Sequence, residues 1–358
     1  MDPAFLQHMD SPATLHFAGN PRAFHREVQA LRGFVLSETE LDRNGYPRPP
    51  RKGEPPNRAI FHRQPHSTNA ISFVPDTCYV RTCCRCNHLY AVTDSGLQEK
   101  RSRCYYHWGH LYTTKPPTTA KHLPPTTTKH LHHNGLCSPS SNDRLWSCCG
   151  RRETDVGCSF AACHVSDTLR ESDASGYRQT QPLPRSLPRD DPRRNAVFSL
   201  DCEMVYTVWG LGLARVTLVD SSLRTVLDTM VRPDHHILDF NTRFSGLVNA
   251  HFIGVNRGLA DVQELLLRLI PADAILIGHS LQADLRSLKL VHSQCVDTSL
   301  VFQHHSGPRF RRALRSISAE VLGWSIQESG HDSGEDARAC MALMHQRLLQ
   351  AARPRLHL

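Results

Sequence analysis

The sequence contains no apolar run approaching the ~18–20 residues needed to cross a bilayer. Its first residues, MDPAFLQHMDSPATLHF, lack a basic stretch followed by an apolar one, so secretion is not expected. Pro (23) and Gly (20) stand near ordinary usage among 358 residues, which excludes a collagen-like or globally low-complexity chain. No dense Lys/Arg cluster of the nuclear-import kind is present. Cysteine is scarce beyond residue 163, where only Cys202, Cys295 and Cys340 occur. Net charge is missing there too: from Asn195 onward, 16 Lys and Arg meet 16 Asp and Glu.

What is scarce in the second half is concentrated in the first. Residues 1–194 hold 26 basic and 18 acidic side chains and so carry the whole formal charge of +8. A basic arm on a neutral domain suits an anionic partner such as nucleic acid, although a solvated arm would give the same counts. Ten of the 13 cysteines lie between Cys78 and Cys163, with histidines among them. Without a secretion signal, such clustering points to zinc rather than disulfides. With 39% hydrophobic residues the chain can bury an ordinary core, and its length suggests two domains.

Four zones follow from composition. Residues 1–75 read as a mixed, partly disordered arm, Pro-rich at PRPPRKGEPP, with a short helix near 23–37. Residues 78–164 form a Cys/His-rich module. Within it, 113–140 is an insertion whose Pro/Thr repeat, PPTTAKHL then PPTTTKHL, cannot bury a core and is expected to be disordered. Residues 165–194 read as a polar linker ending QPLPRSLPRDDPRR, and 195–352 as a folded domain.

The last zone has α/β texture. NAVFSLDCEM is an apolar run of strand length, and LARVTLVD and TVLDTMVRP alternate at period two, predicting an antiparallel meander. Val262, Leu265, Leu266, Leu269 and Ile270 mark a helix face ended by Pro271, and AILIG reads as a buried strand. Further helices are expected at 282–290 and Leu314–Leu322, with a short strand near Cys295. A final helix carries Ala337, Cys340, Met341, Met344 and Leu348. Three leading strands followed by alternating helices and strands predict a mixed sheet flanked by helices.

Acidic residues interrupt this apolar pattern at particular places. Asp201 and Glu203 lie two apart on the first strand and so share a face. Burying two like charges costs several kcal/mol unless cations compensate, and carboxylate oxygens suit Mg²⁺ or Mn²⁺. Asp284 follows the AILIG strand at a helix start, where an acid also serves as a dipole partner. His331-Asp-Ser-Gly-Glu-Asp336 precedes the last helix; capping from Ser333 would account for Asp336 but not for His331.

Taken in order, FSLDCEMVYT, FNTRFSGL, ILIGHSLQADLRSLKL, VDTSLVF and GHDSGEDARACM resemble the motifs of the RNA exonuclease 1 family. That family lies within the DEDDh 3′→5′ exonucleases. The resemblance implies an RNase H-like fold over about 195–350, with a largely irregular, basic Cys/His-rich region before it. It also implies two Mg²⁺ or Mn²⁺ ions held by four carboxylates. Asp201 would bridge both ions. Glu203 and Asp336 would complete one site, and Asp284 would help hold the second through water. His331 would act as general base, a role its ordinary pKa near 6.5 suits. The substrate would be RNA, attacked at its 3′ end to give nucleoside 5′-monophosphates, and the compartment the nucleus, with the cytoplasm as the alternative. Two positions depart from the family: Gly212 stands where relatives carry an acid, and Val248 where they carry a hydroxyl.

Arg309, Arg311, Arg312 and Arg315, with Phe310 among them, are candidates for nucleic-acid contact through phosphate neutralisation and base stacking. Phe302, His304, His305 and Trp324 receive no functional role, and Asp297 reads as a structural hydrogen-bonding residue. Cys83-x2-Cys86 and, 17 residues on, Cys104-x2-His107 have the spacing of a structural zinc site, and Cys148, Cys149, Cys158, Cys163 and His164 offer material for a second. The leading expectation is a metal-dependent 3′→5′ exoribonuclease. A DNA-directed exonuclease and an inactive nuclease fold that only binds nucleic acid are the alternatives.

Overall fold

The run VFSLDCEMVYT forms β1 (Val197–Thr207), the centre of a six-stranded mixed sheet. β2 (Gly210–Asp220) and β3 (Thr225–Met230) continue from it as the expected antiparallel meander. On its other side β4 (Ile275–Gly278) and then β5 (Cys295–Asp297) pair in parallel. The order is β3-β2-β1-β4-β5, with Ile237–Asp239 added antiparallel to β1. This is the RNase H-like mixed sheet read from the sequence. The coordinates are a computed structural model that describes residues 21–61, 73–113, 144–186, 188, 192–305, 307, 310–328 and 330–352. From residue 114 the Pro/Thr insertion lies outside the described residues, as does Arg309.

Alternation along the strands divides the core into two layers. Leu200 and Cys202 of β1 join Val216 and Leu218 of β2 beneath α3 (Leu259–Leu269) and α4 (Gln282–Ser287). Val197, Ile275 and Ile277 face the opposite way, against α5 (Leu314–Leu322) and α6 (Ser333–Ala352). Ile317, Cys340, Met341 and Met344 fill that layer. Asp201 and Glu203 share the parity of Val197, so β1 turns both toward the α6 side.

The structure draws the domain boundaries differently from the sequence reading. One compact unit takes the described residues up to Cys78 and those from Asp167 onward; the other is Tyr79–Ser166. Within the described residues 21–61, the supposed arm therefore contributes to the core. α1 (Pro21–Arg32) gives Val28 and Leu31 to one layer, while Leu36, Leu41 and Tyr46, around α2 (Glu38–Arg43), enter the other. The Leu36 amide donates to the Cys295 carbonyl at 2.9 Å. Such short segments have weak intrinsic helicity and are stabilised by packing that no local pattern reveals. The supposed linker is also built in. Leu169–Arg170 pairs with Phe73–Val74, and Arg178–Gln179 with Leu290–Val291.

The Tyr79–Ser166 unit is made of short two-stranded ladders. Val80–Thr82 pairs with Leu89–Ala91, Cys104–Tyr106 with Ser159–Ala161, and Leu111–Thr113 with Arg144–Trp146. Its buried apolar cluster consists of Cys83, Tyr90, Val92, Cys104 and Ala161.

Candidate active site

β1, α4 and the start of α6 bring four carboxyl groups together. Glu203, Asp284 and Asp336 are buried, at 4%, 4% and 2% exposure, and Asp201 is half-buried. Asp284 is tied to the first motif directly: its Oδ1 accepts the Cys202 amide at 3.1 Å. Gly278 ends β4 close to β1: a Cβ there would lie 2.8 Å from Leu281 Cδ1 and 3.1 Å from the Leu200 carbonyl oxygen.

Asp336 is free of the capping role the sequence allowed. Asp332 caps α6 instead, with Oδ1 accepting the Glu335 amide at 2.9 Å. Ser333 turns inward to the Thr217 hydroxyl at 2.8 Å. Arg215 anchors this corner, donating to Asp332 at 2.7 Å and to both oxygens of Asp228. Asp336 Oδ2 accepts from Gln327 Nε2 at 2.8 Å and lies 3.5 Å from His331 Nδ1. The sequence reading missed Gln327; nothing in its local pattern marks it.

Electrostatics set this spot apart. Burial is the largest cause that pushes Glu203 up to about 8, with Asp336 repelling it and Arg215 opposing. Burial also pushes Asp336 up to about 7. Asp201 and Asp284 are raised as well, first by burial; repulsion from Asp284, Asp336 and Glu203 adds to the shift at Asp201. Glu203 Oε1 and Asp336 Oδ1 are buried without a hydrogen-bond partner. Orphaned, mutually repelling carboxylate oxygens form a donor set that fits hard divalent cations.

His331 stands at the rim, its side chain 38% exposed. Burial lowers its pKa. The segment containing FNTRFSGL braces it: Gly246 has φ 66°, and a Cβ there would lie 2.6 Å from the His331 carbonyl oxygen. The Phe244 ring meets the imidazole edge-on, with centroids 6.3 Å apart.

The other sequence candidates are placed as follows. Asp297 is structural: its carboxylate accepts from Tyr46 Oη, the Ser280 and Ser299 amides and the Ser299 hydroxyl. Phe310 is exposed, Arg311 donates to Asn44, Arg312 pairs with Glu320, and Arg315 reaches the Gln327 carbonyl. Gly212 lies opposite Val205 and lines a cavity of about 280 Å³ with Met204, Trp209 and Arg286, none of them an acid of the site. A Cβ at Gly212 would meet Thr207 Cγ2 at 2.8 Å. Val248 is exposed.

The expected Cys83-Cys86-Cys104-His107 set is corrected. Cys83, Cys86 and Cys104 gather with His164, whereas His107 gathers with Cys148, Cys149 and Cys158. Cys104 opens the strand Cys104–Tyr106 and His107 follows its end. Three positions apart on an extended run, they point to opposite faces and cannot share a centre.

The chain is 38% identical over 324 residues to exonuclease GOR of Pan troglodytes, an alignment covering 90% of this chain and 42% of that one. It is 38% identical over 316 residues to RNA exonuclease 1 homolog of Homo sapiens, covering 88% of this chain and 23% of that one. It thus spans less than half the length of these relatives. A solved structure of the Neurospora crassa Pan2 catalytic unit (protease and nuclease domain) is 22% identical, with a TM-score of 0.42 over 49% of this chain and 30% of that one. No family model matches the chain. The resemblance to the RNA exonuclease 1 family is borne out by these relatives.

Proposed function

We propose that this chain, homologous over 90% of its length to a curated exonuclease, is a metal-dependent 3′→5′ exoribonuclease. The observation that carries the reading is the convergence of Asp201, Glu203, Asp284 and Asp336, with orphaned oxygens on Glu203 and Asp336 and His331 at the rim. Two divalent ions held there would activate water at neutral pH and stabilise the attacking and leaving oxygens of a phosphodiester. Asp201, Glu203, Asp284 and Asp336 would hold them.

The remaining work belongs to the chain itself. Glu203 and Asp336 must lose their protons to bind a cation, so loading strengthens as pH rises through 7 to 8. His331 is neutral at that pH because burial lowers its pKa, and its exposed edge can take a proton from the attacking water. Gly246 and Phe244 hold its backbone and ring in place, while Arg215 fixes the helix start that carries Asp336. RNA as substrate and the 3′ end as point of attack rest on the names and motifs of the relatives.

The test is a 5′-labelled single-stranded RNA incubated with the wild-type chain and Mg²⁺ or Mn²⁺. A ladder shortening from the 3′ end is expected, absent with EDTA and with Asp201→Asn. Matched DNA shortened equally well would remove the preference for RNA. Folded protein that binds RNA and releases no product would replace the reading with a binding function.

A further inference from the structure

The geometry points to two structural zinc ions in the Tyr79–Ser166 unit, each in its own Cys3His site, one nested inside the chain loop closed by the other. The inference is independent of the nuclease reading. In the outer site the Cys83 and Cys104 sulfurs are 3.7 Å apart, and Cys86 Sγ lies 3.3 Å from His164 Nδ1. In the inner site Cys148 Sγ lies 3.8 Å from Cys149 Sγ and 3.6 Å from Cys158 Sγ. His107 Nδ1 is 3.6 Å and 3.4 Å from Cys148 and Cys149. A tetrahedral zinc with Zn–S of about 2.3 Å and Zn–N of about 2.0–2.1 Å requires edges of roughly 3.8 Å between sulfurs and roughly 3.6 Å between sulfur and nitrogen. Both sets match those edges. Three thiolates and an imidazole select zinc over the oxygen-seeking Mg²⁺ or Ca²⁺.

Each histidine has its second nitrogen engaged, as a ligand does. His164 Nε2 lies 3.1 Å from Ser102 Oγ, and His107 Nε2 3.2 Å from the Asp155 carbonyl oxygen, which leaves Nδ1 for the metal. The backbone is shaped to close the inner site. A Cβ at Gly109 would stand 2.5 Å from the Cys148 nitrogen, and one at Gly157 2.1 Å from the Tyr106 nitrogen, so neither position admits a side chain.

The unit also requires such support. Its ladders are three residues long and its buried apolar cluster has five members, two of them proposed ligands. Isolated two-stranded ladders of that size are marginal in water, and small domains without a large core rely on metals or disulfides. All four inner ligands lie between Cys104 and His164, so the outer site fastens the loop within which the inner one forms. The inner site is the more open, with Cys149 exposed.

The full-length chain, purified under reducing conditions without chelator, is assayed by plasma mass spectrometry. Two zinc ions per chain are expected, unchanged in Cys84→Ser. Cobalt(II) added to metal-free protein should bring thiolate charge-transfer and intense tetrahedral ligand-field bands that rise over two equivalents. The pairing is read from double variants. Cys149→Ser with His107→Ala should retain one zinc, both losses falling in one site, whereas Cys83→Ser with His107→Ala should retain none. Fewer than two zinc ions in the wild type, iron or copper in their place, or octahedral cobalt bands would overturn the inference. One zinc retained by the Cys83/His107 variant would overturn the pairing. The wild-type cobalt titration decides the matter even if a variant fails to fold.

Discussion

In the sheet unit, two apolar layers cover both faces of β1 and β4, and a charged site is set into one edge of that burial. In the Tyr79–Ser166 unit the apolar cluster is small and lies beside two Cys3His groups that could hold a metal. The same class of feature therefore has opposite energetic sign. Glu203 and Asp336 are buried at a cost that the surrounding hydrophobic layers sustain, whereas on the zinc proposal the burial of Cys83 and Cys104 is held by ligation. Removing a functional side chain should stabilise the first unit and destabilise the second.

The largest effect that sharpens this contrast is catalytic. Asp336→Asn should lower the rate of RNA shortening by on the order of 10²–10³-fold or more, as loss of one directed electrostatic contact does. The same substitution should raise the stability of the cation-free sheet unit at pH 8 by about 1 kcal/mol, because a carboxyl pushed up to about 7 is ionised there against its environment. Denaturant unfolding with the activity assay reads both. Loss of stability together with activity would mean that Asp336 is chiefly structural.

Chelation gives the converse. A strong zinc chelator with reductant should abolish amide protection across 79–113 and 144–166, measured by hydrogen exchange and mass spectrometry, while β1 and β4 keep theirs. Equal loss in both units, or loss in neither, would erase the distinction.

How legible each unit was in the sequence follows from the same difference. Period-two and helical patterns gave β1 to β5, α5 and α6 because hydrophobic burial writes itself into local order. Asp201, Glu203, Asp284, His331 and Asp336 stood out because each interrupts such a pattern or sits at its end. Metal ligation leaves no periodicity, only types and spacings, and spacing cannot say which face a ligand occupies. For that reason the spacing groups His107 with Cys83, Cys86 and Cys104, whereas the structure gathers it with Cys148, Cys149 and Cys158. The segment around Tyr46 was missed for another: its burial comes from partners 251 residues away, such as Asp297. Leu41→Ala tests that placement. Leu41 is fully buried, so the substitution should cost the sheet unit about 2–5 kcal/mol in denaturant unfolding, where a loose arm would cost nothing measurable.

The smallest effect lies in the pH dependence of the sheet unit without divalent ions. Burial lowers His292 to about 4, below the ordinary 6.5. Its Nε2–H donates to the Ala274 carbonyl and its Nδ1 accepts from the Thr180 hydroxyl, an arrangement of the neutral ring. The unfolded chain takes up a proton below pH 6.5 that the folded state refuses until about 4, so stability falls as pH drops through that window. Glu203, raised from 4.5 to about 8, acts on the other side. There the folded state keeps a proton that the unfolded chain has given up, so stability present at low pH is lost as pH rises toward 8. The two windows overlap between 4.5 and 6.5, where the slopes oppose each other, so melting temperature against pH should be flat there, with an acidic limb below and an alkaline limb above. Glu203→Gln should flatten the alkaline limb and leave the acidic limb in place, and added Mg²⁺ should restore wild-type stability on the alkaline limb without affecting the variant. An alkaline limb unchanged in Glu203→Gln would show that the strain of this site is carried by its other carboxylates.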